Sequence, residues 1–213
     1  MRIRLHTNPL LAAYEQFRDE RPVLRPGWPT EVEIGCGDAQ FLFERAAQDP
    51  ARNYVGLEIR EELVHLVNKR ARARQAPVTG VFCQAQLHLR EIFEPASVDR
   101  IYINFPDPWF KRRHSDRRMV DDVLIAGCAV IARPGAEVLV QTDVWDLALD
   151  AMAALEGQDD AFINQAGPWT FWRAGNPYGV RSWREEHAEL DGLPIWRLRF
   201  TRTGRSTPAA DAS

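Results

Sequence analysis

Short apolar runs alternate along this chain with longer segments whose apolar residues recur every three to four positions. Runs rich in β-branched and aromatic residues predict strands at six places, and a weaker run predicts another near Trp169–Trp172. The six stronger runs are Glu31–Ile34, Tyr54–Glu58, Val78–Cys83, Arg100–Asn104, Glu137–Thr142 and Ile195–Thr201. Segments with helical spacing lie between them, at Asp38–Gln48, Arg60–Arg74, Arg117–Ala132 and Val144–Glu156. Strands that alternate with helices pair in parallel, so the pattern predicts an α/β fold with a doubly wound, mostly parallel sheet covered on both faces.

The C-terminal part of the chain departs from this alternation. Turn-forming residues are frequent from Gly167 to Pro194, before the last predicted strand. This change predicts that the sheet closes with an antiparallel strand. We expect residues 1–203 to form a single domain and residues 204–213, which are small and polar, to form a disordered tail.

Composition excludes several classes of protein. The chain has 213 residues, 45% of them hydrophobic, and a formal net charge of −3, so nucleic-acid binding would depend on local basic patches. Its three cysteines lack paired or Cys/His spacing, which argues against a disulfide framework and predicts no metal site. The N-terminus has no apolar signal segment, and the longest apolar run, Val123–Ala132, is too short to span a bilayer. The sequence therefore predicts a cytoplasmic protein without a membrane segment.

Two glycines, Gly35 and Gly37, follow the first predicted strand and precede a helix. Such a turn lets a ligand approach the backbone and the N-terminus of the helix. Glu58 ends the second strand, where a carboxylate typically accepts hydrogen bonds from ribose hydroxyls. Gln40 replaces the third glycine of a dinucleotide fingerprint, whereas Glu33 gives the E-x-G-x-G pattern typical of methyltransferases. These features favour S-adenosylmethionine as the ligand, with a dinucleotide or a purely structural turn as the alternatives.

The segment from Asn104 to Arg118, NFPDPWFKRRHSDRR, combines an acid, aromatic residues and a basic cluster. It begins at the end of the fourth strand, which lies beside the glycine turn in a doubly wound sheet. Asp107 can accept hydrogen bonds from the edge of a base, Trp109 can stack on the base, and the Lys and Arg residues can bind phosphates. A basic stretch alone is more often a solvated helix face, and an aromatic pair is more often core. Their position together at a strand end favours binding of nucleic acid.

This segment resembles the F-P-D-P-W-x-K-x-R-H-x-x-R-R signature of the tRNA (guanine-N7)-methyltransferase family. The elements LHTNPL, EIGCG, GLEIR and QTDVW are similar to other motifs of that family and extend the resemblance over most of residues 1–202. The resemblance implies a seven-stranded, Rossmann-like methyltransferase sheet, S-adenosylmethionine as cofactor and tRNA as partner. The implied reaction transfers a methyl group to N7 of a guanine in the variable loop. Whether the protein is a monomer or a homodimer stays open.

The resemblance also implies roles for individual residues, with Asp107 as the catalytic residue. The residues implied for cofactor binding are Glu33, Gly35, Gly37, Glu58, Gln84 and Asn104. The residues implied for substrate binding are Lys111, Arg113, Arg117, Asp143, Ser182 and Glu185. Three positions depart from the family pattern: Gln84 replaces an Asp, T-x-F-E reads Ser182-Trp183-Arg184-Glu185, and a W-D pair reads Trp196-Arg197.

Simpler structural roles stay open for some of these residues. Asp143 is placed to cap the helix that follows it, and Ser182 with Glu185 has the S-x-x-E spacing of a capping box. Other functions stay open as well. NFPDPW is similar to the motif of exocyclic-amine methyltransferases, although Phe105 interrupts it. A non-catalytic protein that binds RNA or another protein would tolerate the departures from the family pattern, whereas a nicotinamide oxidoreductase is disfavoured by the incomplete glycine fingerprint.

Overall fold

The computed structural model describes residues 21–107, 120–158 and 160–204. Within these ranges one sheet contains the strands β1 (Thr30–Ile34), β2 (Asn53–Glu58), β3 (Val78–Phe82), β4 (Val98–Asn104), β5 (Ala132–Thr142), β6 (Phe162–Asn164) and β7 (Trp196–Arg202). The helices of the same ranges are α1 (Gln40–Gln48), α2 (Glu61–Arg74), α3 (Ala85–Ile92), α4 (Asp122–Ile131), α5 (Trp145–Glu156) and α6 (Trp183–Leu190).

The strands lie in the order β3-β2-β1-β4-β5-β7-β6. The first five strands of the chain pair in parallel, and β7 runs antiparallel to both β5 and β6. The winding changes direction between β1 and β4, which leaves a crevice at their carboxyl ends where α/β proteins bind ligands. The predicted doubly wound, mostly parallel, seven-stranded sheet with an antiparallel C-terminal strand is confirmed.

Side chains alternate between the two faces of the sheet, and one face carries buried polar groups. Ile34 belongs to the apolar cluster that the sheet forms with α3, α4 and α5. Its neighbour Glu33 is buried on the opposite face, as the two-residue period of a strand requires. Asn104 of β4 and Gln141 of β5 lie on the Glu33 face and are directly paired across the two strands. Polar side chains from three adjacent strands therefore meet on one face.

A second buried carboxylate, Glu31, holds the same face together near the start of β1. Glu31 accepts hydrogen bonds from Arg45 at 3.0 and 3.2 Å, from Arg100 at 2.8 Å and from Tyr102 at 2.8 Å. Arg45 also donates to the backbone carbonyl of Tyr178 at 3.2 Å. This network joins α1 to β4 and to the loop before α6. Removing one partner of a buried charge lowers the stability of the folded protein, because the remaining charge is left without compensation.

The strand predicted near Trp169–Trp172 is wrong in its position. Trp169 has a φ of 55°, which turns the chain out of an extended conformation. This segment is joined to β7 by the hydrogen bond from the Trp172 N–H to the Arg197 carbonyl at 2.8 Å. The edge strand that pairs with β7 is β6, which lies earlier in the chain and has only three residues.

The helix predicted at Arg117–Ala132 begins later than expected. Its first residue is Asp122, and Asp121 is the N-cap, whose carboxylate accepts from the Leu124 N–H at 2.8 Å. Helices α3 and α6 were not predicted as helices. The predictions for residues 108–119, for the LHTNPL element and for the tail from residue 205 lie outside the described residues. The single-domain organisation stays a prediction.

Two further observations concern only the described ranges. No helix in them has both the length and the apolar character that a membrane span requires. The same residues contain no group of three or more His, Cys, Asp or Glu side chains arranged to hold a metal ion.

Candidate active site

The turn after β1 places two glycines at the carboxyl edge of the sheet. Gly35 and Gly37 have φ values of 74° and 59°, in the left-handed region that favours glycine. The N–H groups of Gly35 and Cys36 donate to the Leu57 carbonyl at 2.9 and 3.1 Å, so the turn is fixed to β2. A Cβ atom at Gly37 would meet no atom within 4 Å. The turn therefore offers an accessible backbone edge in front of α1.

Glu58, at the end of β2, lies against this turn. Its buried carboxylate accepts from the Gly37 N–H at 2.9 Å and from the Ile59 N–H at 3.0 Å. The Arg60 guanidinium donates to the same carboxylate at 2.9 and 3.0 Å. This hydrogen bond raises the pKa of Arg60, and the nearby Asp107 carboxylate adds to the increase. Arg60 is thus close to both the predicted ribose-binding acid and the predicted catalytic acid.

Glu33 has one carboxylate oxygen, Oε2, that meets no hydrogen-bond donor among the described residues. The other oxygen accepts from the Asn104 amide at 2.8 Å. Burial raises the pKa of Glu33 to about 8, against the opposing Asn104 hydrogen bond and with added repulsion from Asp38 and Glu58. The ionised form of this buried acid is stabilised by a cationic partner. The free oxygen of Glu33 fits the ammonium group of S-adenosylmethionine, whereas both oxygens of Glu58 already accept hydrogen bonds from the protein.

Gln84 lies at the carboxyl end of β3, at the N-cap position of α3. It is buried, and its N–H donates to Nδ1 of His88 at 3.3 Å. The predicted cofactor residues therefore lie at or just after the carboxyl ends of four neighbouring strands, β1 to β4, at one edge of the sheet. This is the edge where the winding of the sheet changes direction.

Asp107 follows a strained turn at the end of β4. Phe105 is buried and has a φ of 49°, a conformation that costs a non-glycine residue about 1–2 kcal/mol. Its N–H donates to the Gln141 carbonyl at 2.7 Å, which holds the turn against β5. Asp107 itself is half-buried. The predicted phosphate-binding residues Lys111, Arg113 and Arg117 lie outside the described residues.

The predicted substrate residues of the C-terminal half lie after β5 and at the start of α6. Asp143 does not cap α5, because Val144 occupies the N-cap position and Asp143 forms an ion pair with Arg184. Ser182 does cap α6, accepting from the Glu185 N–H at 3.2 Å. Glu185 does not complete a capping box, since its carboxylate is fully buried and accepts from other side chains.

The comparisons with known proteins agree on one family. The family model Methyltransf_4, described as "Putative methyltransferase", matches residues 28–198. A tRNA (guanine-N(7)-)-methyltransferase of Synechococcus sp. (strain JA-3-3Ab) is 36% identical over 94% of this chain and 86% of its own length. A protein of the same name from Thermosynechococcus vestitus is 34% identical over 95% of both chains. The chain belongs to the tRNA (guanine-N(7)-)-methyltransferase family.

Solved structures of other proteins share the fold of this chain at much lower sequence identity. One is geranyl diphosphate C-methyltransferase from Streptomyces coelicolor A3(2), solved with Mg²⁺, geranyl diphosphate and S-adenosyl-L-homocysteine. It is 13% identical, with a TM-score of 0.53 over 82% of this chain and 72% of that chain. At this identity the similarity concerns the fold alone, and it agrees with a Rossmann-like methyltransferase sheet.

At two positions that depart from the family pattern, this chain has an arginine. Each arginine contacts an acid that is part of the family pattern and is present in this chain. Arg184, in the position of the aromatic residue of T-x-F-E, pairs with Asp143. Arg197, in the position of the acid of W-D, donates to Glu185 at 2.8 Å and to Gln141 at 3.1 Å. At both positions an arginine therefore pairs with an acid, Asp143 or Glu185, that the sequence predicts to bind the substrate.

The sequence interpretation missed three residues that the structure brings to the site: Arg60, Gln141 and Arg197. Arg60 and Gln141 lie inside the recognised elements GLEIR and QTDVW, so their motifs were a usable signal. Arg197 was noticed only as a departure from the family pattern. Its contact with Gln141 depends on the pairing of β5 with β7, which local spacing does not indicate.

Proposed function

We propose that this protein transfers a methyl group from S-adenosylmethionine to N7 of guanine 46 in the variable loop of tRNA. The observation that carries the proposal is the similarity to a protein named tRNA (guanine-N(7)-)-methyltransferase across 94% of the chain. The site geometry supports it, because the described residues of the family motifs gather at the carboxyl edge of β1 to β5.

The two acids Glu33 and Glu58 bind opposite parts of the methyl donor. When bound, the donor supplies an electrophilic methyl group on a sulfonium. The free oxygen of Glu33 accepts from the donor ammonium. Glu58 exchanges its hydrogen bonds from the Arg60 guanidinium for hydrogen bonds from the ribose hydroxyls. Asn104 keeps the Glu33 carboxylate oriented through its hydrogen bond. Gln84, at the N-cap of α3, binds the adenine edge through its side-chain amide.

Asp107 orients the guanine. N7 of guanine carries an in-plane lone pair and no proton, so the methyl transfer needs no general base. The enzyme must instead hold N7 in line with the methyl group, and positioning of this kind supplies several kcal/mol of the barrier reduction. A carboxylate at Asp107 accepts from the guanine N1–H and 2-amino groups and offsets the positive charge that develops on the ring.

Most of the remaining predicted residues of the site bind the tRNA itself. Lys111, Arg113 and Arg117 bind phosphates, which position the RNA without reading its sequence. Asp143 and Ser182 face the substrate from the ends of β5 and α6. Glu185 contributes from a buried position, because its carboxylate fixes the first turn of α6 rather than reaching the RNA.

Incubation with unmodified bulk tRNA and radiolabelled S-adenosylmethionine tests this function. We expect label in the tRNA together with aniline scission, a reaction that reports N7-methylguanine. Asp107→Ala is the matched control and should incorporate no label while retaining its fold. Label without scission would instead favour methylation of an exocyclic amine, and absence of label from every tRNA would favour a non-catalytic role.

The proposed function also leads to an expected cellular location of the protein, and its oligomeric state can be measured directly. A protein that modifies tRNA needs access to it, so the expected location is the cytoplasm. Light scattering after size-exclusion chromatography distinguishes a monomer from a homodimer, and fluorescence of a tagged chain in cells reports the location.

A further inference from the structure

Three polar side chains lie side by side across the sheet, one each on β4, β5 and β7. Strand pairing places Asn104 opposite Gln141, and Gln141 opposite Arg197. The Gln141 amide nitrogen donates to Asn104 Oδ1 at 2.9 Å, and Gln141 Oε1 accepts from Arg197 Nε at 3.1 Å. Because Gln141 is fully buried, its side-chain amide is shielded from water and depends on these partners. We call these three residues the polar row.

The polar row connects two acids that belong to different parts of the site. At the β1 end, Asn104 donates to Glu33 at 2.8 Å. At the other end, Gln141 donates to Glu185 at 2.9 Å, and Arg197 donates to Glu185 at 2.8 Å. Continuous hydrogen bonds therefore run from the acid of the methyl-donor site to the buried acid of α6.

The carboxylates at its ends determine the direction of each hydrogen bond in the polar row. An ionised carboxylate only accepts, so with Glu33 ionised Asn104 must turn its N–H group toward Glu33 and its oxygen toward Gln141. Both N–H groups of the Gln141 amide are then committed, to Asn104 and to Glu185, and its oxygen faces Arg197. A change in the charge of Glu33 therefore alters how firmly the Gln141 amide is held against Glu185.

Gln141 also holds the turn that leads to Asp107. Its backbone carbonyl accepts from the Phe105 backbone N–H at 2.7 Å, and Phe105 has the strained φ of 49°. Such a conformation persists only where neighbouring groups hold it. Gln141 thus contacts the turn before Asp107 through its backbone. Its side chain contacts Glu185 directly and is connected to Glu33 through Asn104.

On the substrate side, Glu185 organises the loop that precedes α6. Asn176 donates to the Glu185 carboxylate at 2.9 Å and to the Val180 carbonyl at 2.9 Å. A shift of Glu185 would therefore move this loop and the first turn of α6. That turn carries Arg184, which pairs with Asp143 after β5.

We propose that Gln141 is a positioning residue that couples binding of the methyl donor at Glu33 to the conformation of the 176–185 segment, and thereby to tRNA binding. The identity of the two ligands rests on the proposed function. A donor ammonium favours the ionised form of Glu33, which strengthens the Asn104 hydrogen bond and fixes the Gln141 amide, because charge-assisted hydrogen bonds are about twice as strong as neutral ones. By reciprocity, bound tRNA tightens donor binding by the same factor.

Calorimetry on the full chain measures this coupling with S-adenosylhomocysteine, which transfers no methyl group, and an unmodified tRNA transcript. For the native protein we expect the Kd of S-adenosylhomocysteine to fall about fivefold or more at saturating tRNA. In Gln141→Met, which removes the side-chain contacts at similar volume, we expect the Kd to change less than about twofold. Val138→Ala is the matched control, since it weakens the core on the same strand but leaves the polar row intact, and it should keep the native coupling.

Two results of this experiment would overturn the coupling: an unchanged Kd in the native protein with tRNA bound, or native coupling in Gln141→Met. A native protein that binds S-adenosylhomocysteine but no tRNA would contradict the proposed function itself. The coupling is then decided by a measurement that needs neither tRNA nor a variant.

That measurement is hydrogen exchange of the native protein with and without S-adenosylhomocysteine. We expect the ligand to slow exchange in the 176–185 segment and to leave β6 unchanged, since β6 makes none of the contacts of the polar row. Equal exchange of the 176–185 segment in both conditions would overturn the coupling, because the donor would then have no effect beyond its own site.

Discussion

Asn104 donates a hydrogen bond of 2.8 Å to one carboxylate oxygen of Glu33 and leaves the other buried oxygen without a donor among the described residues. Burying an acid in this way is unfavourable for the free protein, because water is removed and not fully replaced. The same geometry presents an acceptor that is already oriented for a cationic ligand. Glu33 therefore lowers the stability of the free protein and at the same time provides a preorganised binding site.

Glu33→Gln is expected to stabilise the free protein increasingly as pH rises. Burial raises the pKa of Glu33 to about 8 from an ordinary value of 4.5, so the folded state retains a proton that the unfolded state releases. The stability contributed by this proton is present below about pH 4.5 and is lost as pH rises to about 8. Urea unfolding without ligand should show Glu33→Gln gaining at least about 2 kcal/mol on the native protein between pH 5 and pH 8.

The same variant should bind S-adenosylhomocysteine more than about tenfold less tightly, because a neutral amide replaces a charged acceptor. Glu62→Gln, at an exposed position on α2, is the control and should show neither effect. A stability difference between Glu33→Gln and the native protein that is independent of pH would show that Glu33 titrates normally.

Asp107→Asn is expected to lower single-turnover methylation of tRNA by about 10²–10³-fold. An amide has one acceptor oxygen and presents N–H groups to the guanine, so it cannot accept from both N1–H and the 2-amino group. The Kd of S-adenosylhomocysteine should stay within about threefold of the native value, since the proposed role of Asp107 is to bind the guanine and not the donor. The exposed Asp122→Asn on α4 is the control. A loss of donor binding in Asp107→Asn would contradict this role.

Glu31→Ala is expected to lower the free energy of unfolding by about 3–5 kcal/mol, because Arg45 and Arg100 are left without their buried acid. Arg133→Ala breaks an ion pair with Asp99 in which the arginine side chain is 48% exposed, and should cost less than about 1 kcal/mol. Urea unfolding of both variants compares the two positions. Similar losses would mean that the Glu31 network does not hold this face of the sheet.

Ser182→Ala is expected to lower the free energy of unfolding by about 1 kcal/mol through loss of the α6 N-cap. Ser182→Thr keeps the capping oxygen and should restore most of that stability. Ser182→Asn also supplies a capping oxygen but has no hydroxyl, so methylation assays on this variant separate the roles of the residue. A raised KM for tRNA in Ser182→Asn would show that the hydroxyl serves the substrate beyond capping, whereas a native KM assigns the residue to the helix.

The sheet and its helices were largely predictable because strand and helix periods are local properties of the sequence. The edge strand β6 was missed, since a strand of three residues is too short to show alternation. Helix α3 was also missed, although Leu89 and Ile92 have helical spacing. The start of α4 was misplaced because Met119 and Val120 continue the apolar spacing in the sequence, while the structure begins the helix after the Asp121 cap.

The candidate site was predictable where one motif contains the chemistry, as at Glu33 and Glu58. Their place at the carboxyl edge follows from the order of the strands. The partners of Glu185 were not predictable, because Gln141 lies 44 residues away and meets it only after β5, β7 and α6 have packed. The capping role of Ser182, in contrast, was visible in the S-x-x-E spacing and is present in the structure.

The most direct test of N7 methylation uses a tRNA whose variable-loop guanine is replaced by 7-deazaguanine. This base keeps the N1–H and 2-amino groups that Asp107 would bind and the same stacking surface, but has a C–H in place of N7. With radiolabelled S-adenosylmethionine we expect about one methyl group per unmodified transcript and none on the 7-deazaguanine transcript, although both compete equally for the protein. Equal labelling of the two transcripts would contradict N7 of that guanine as the methylated atom.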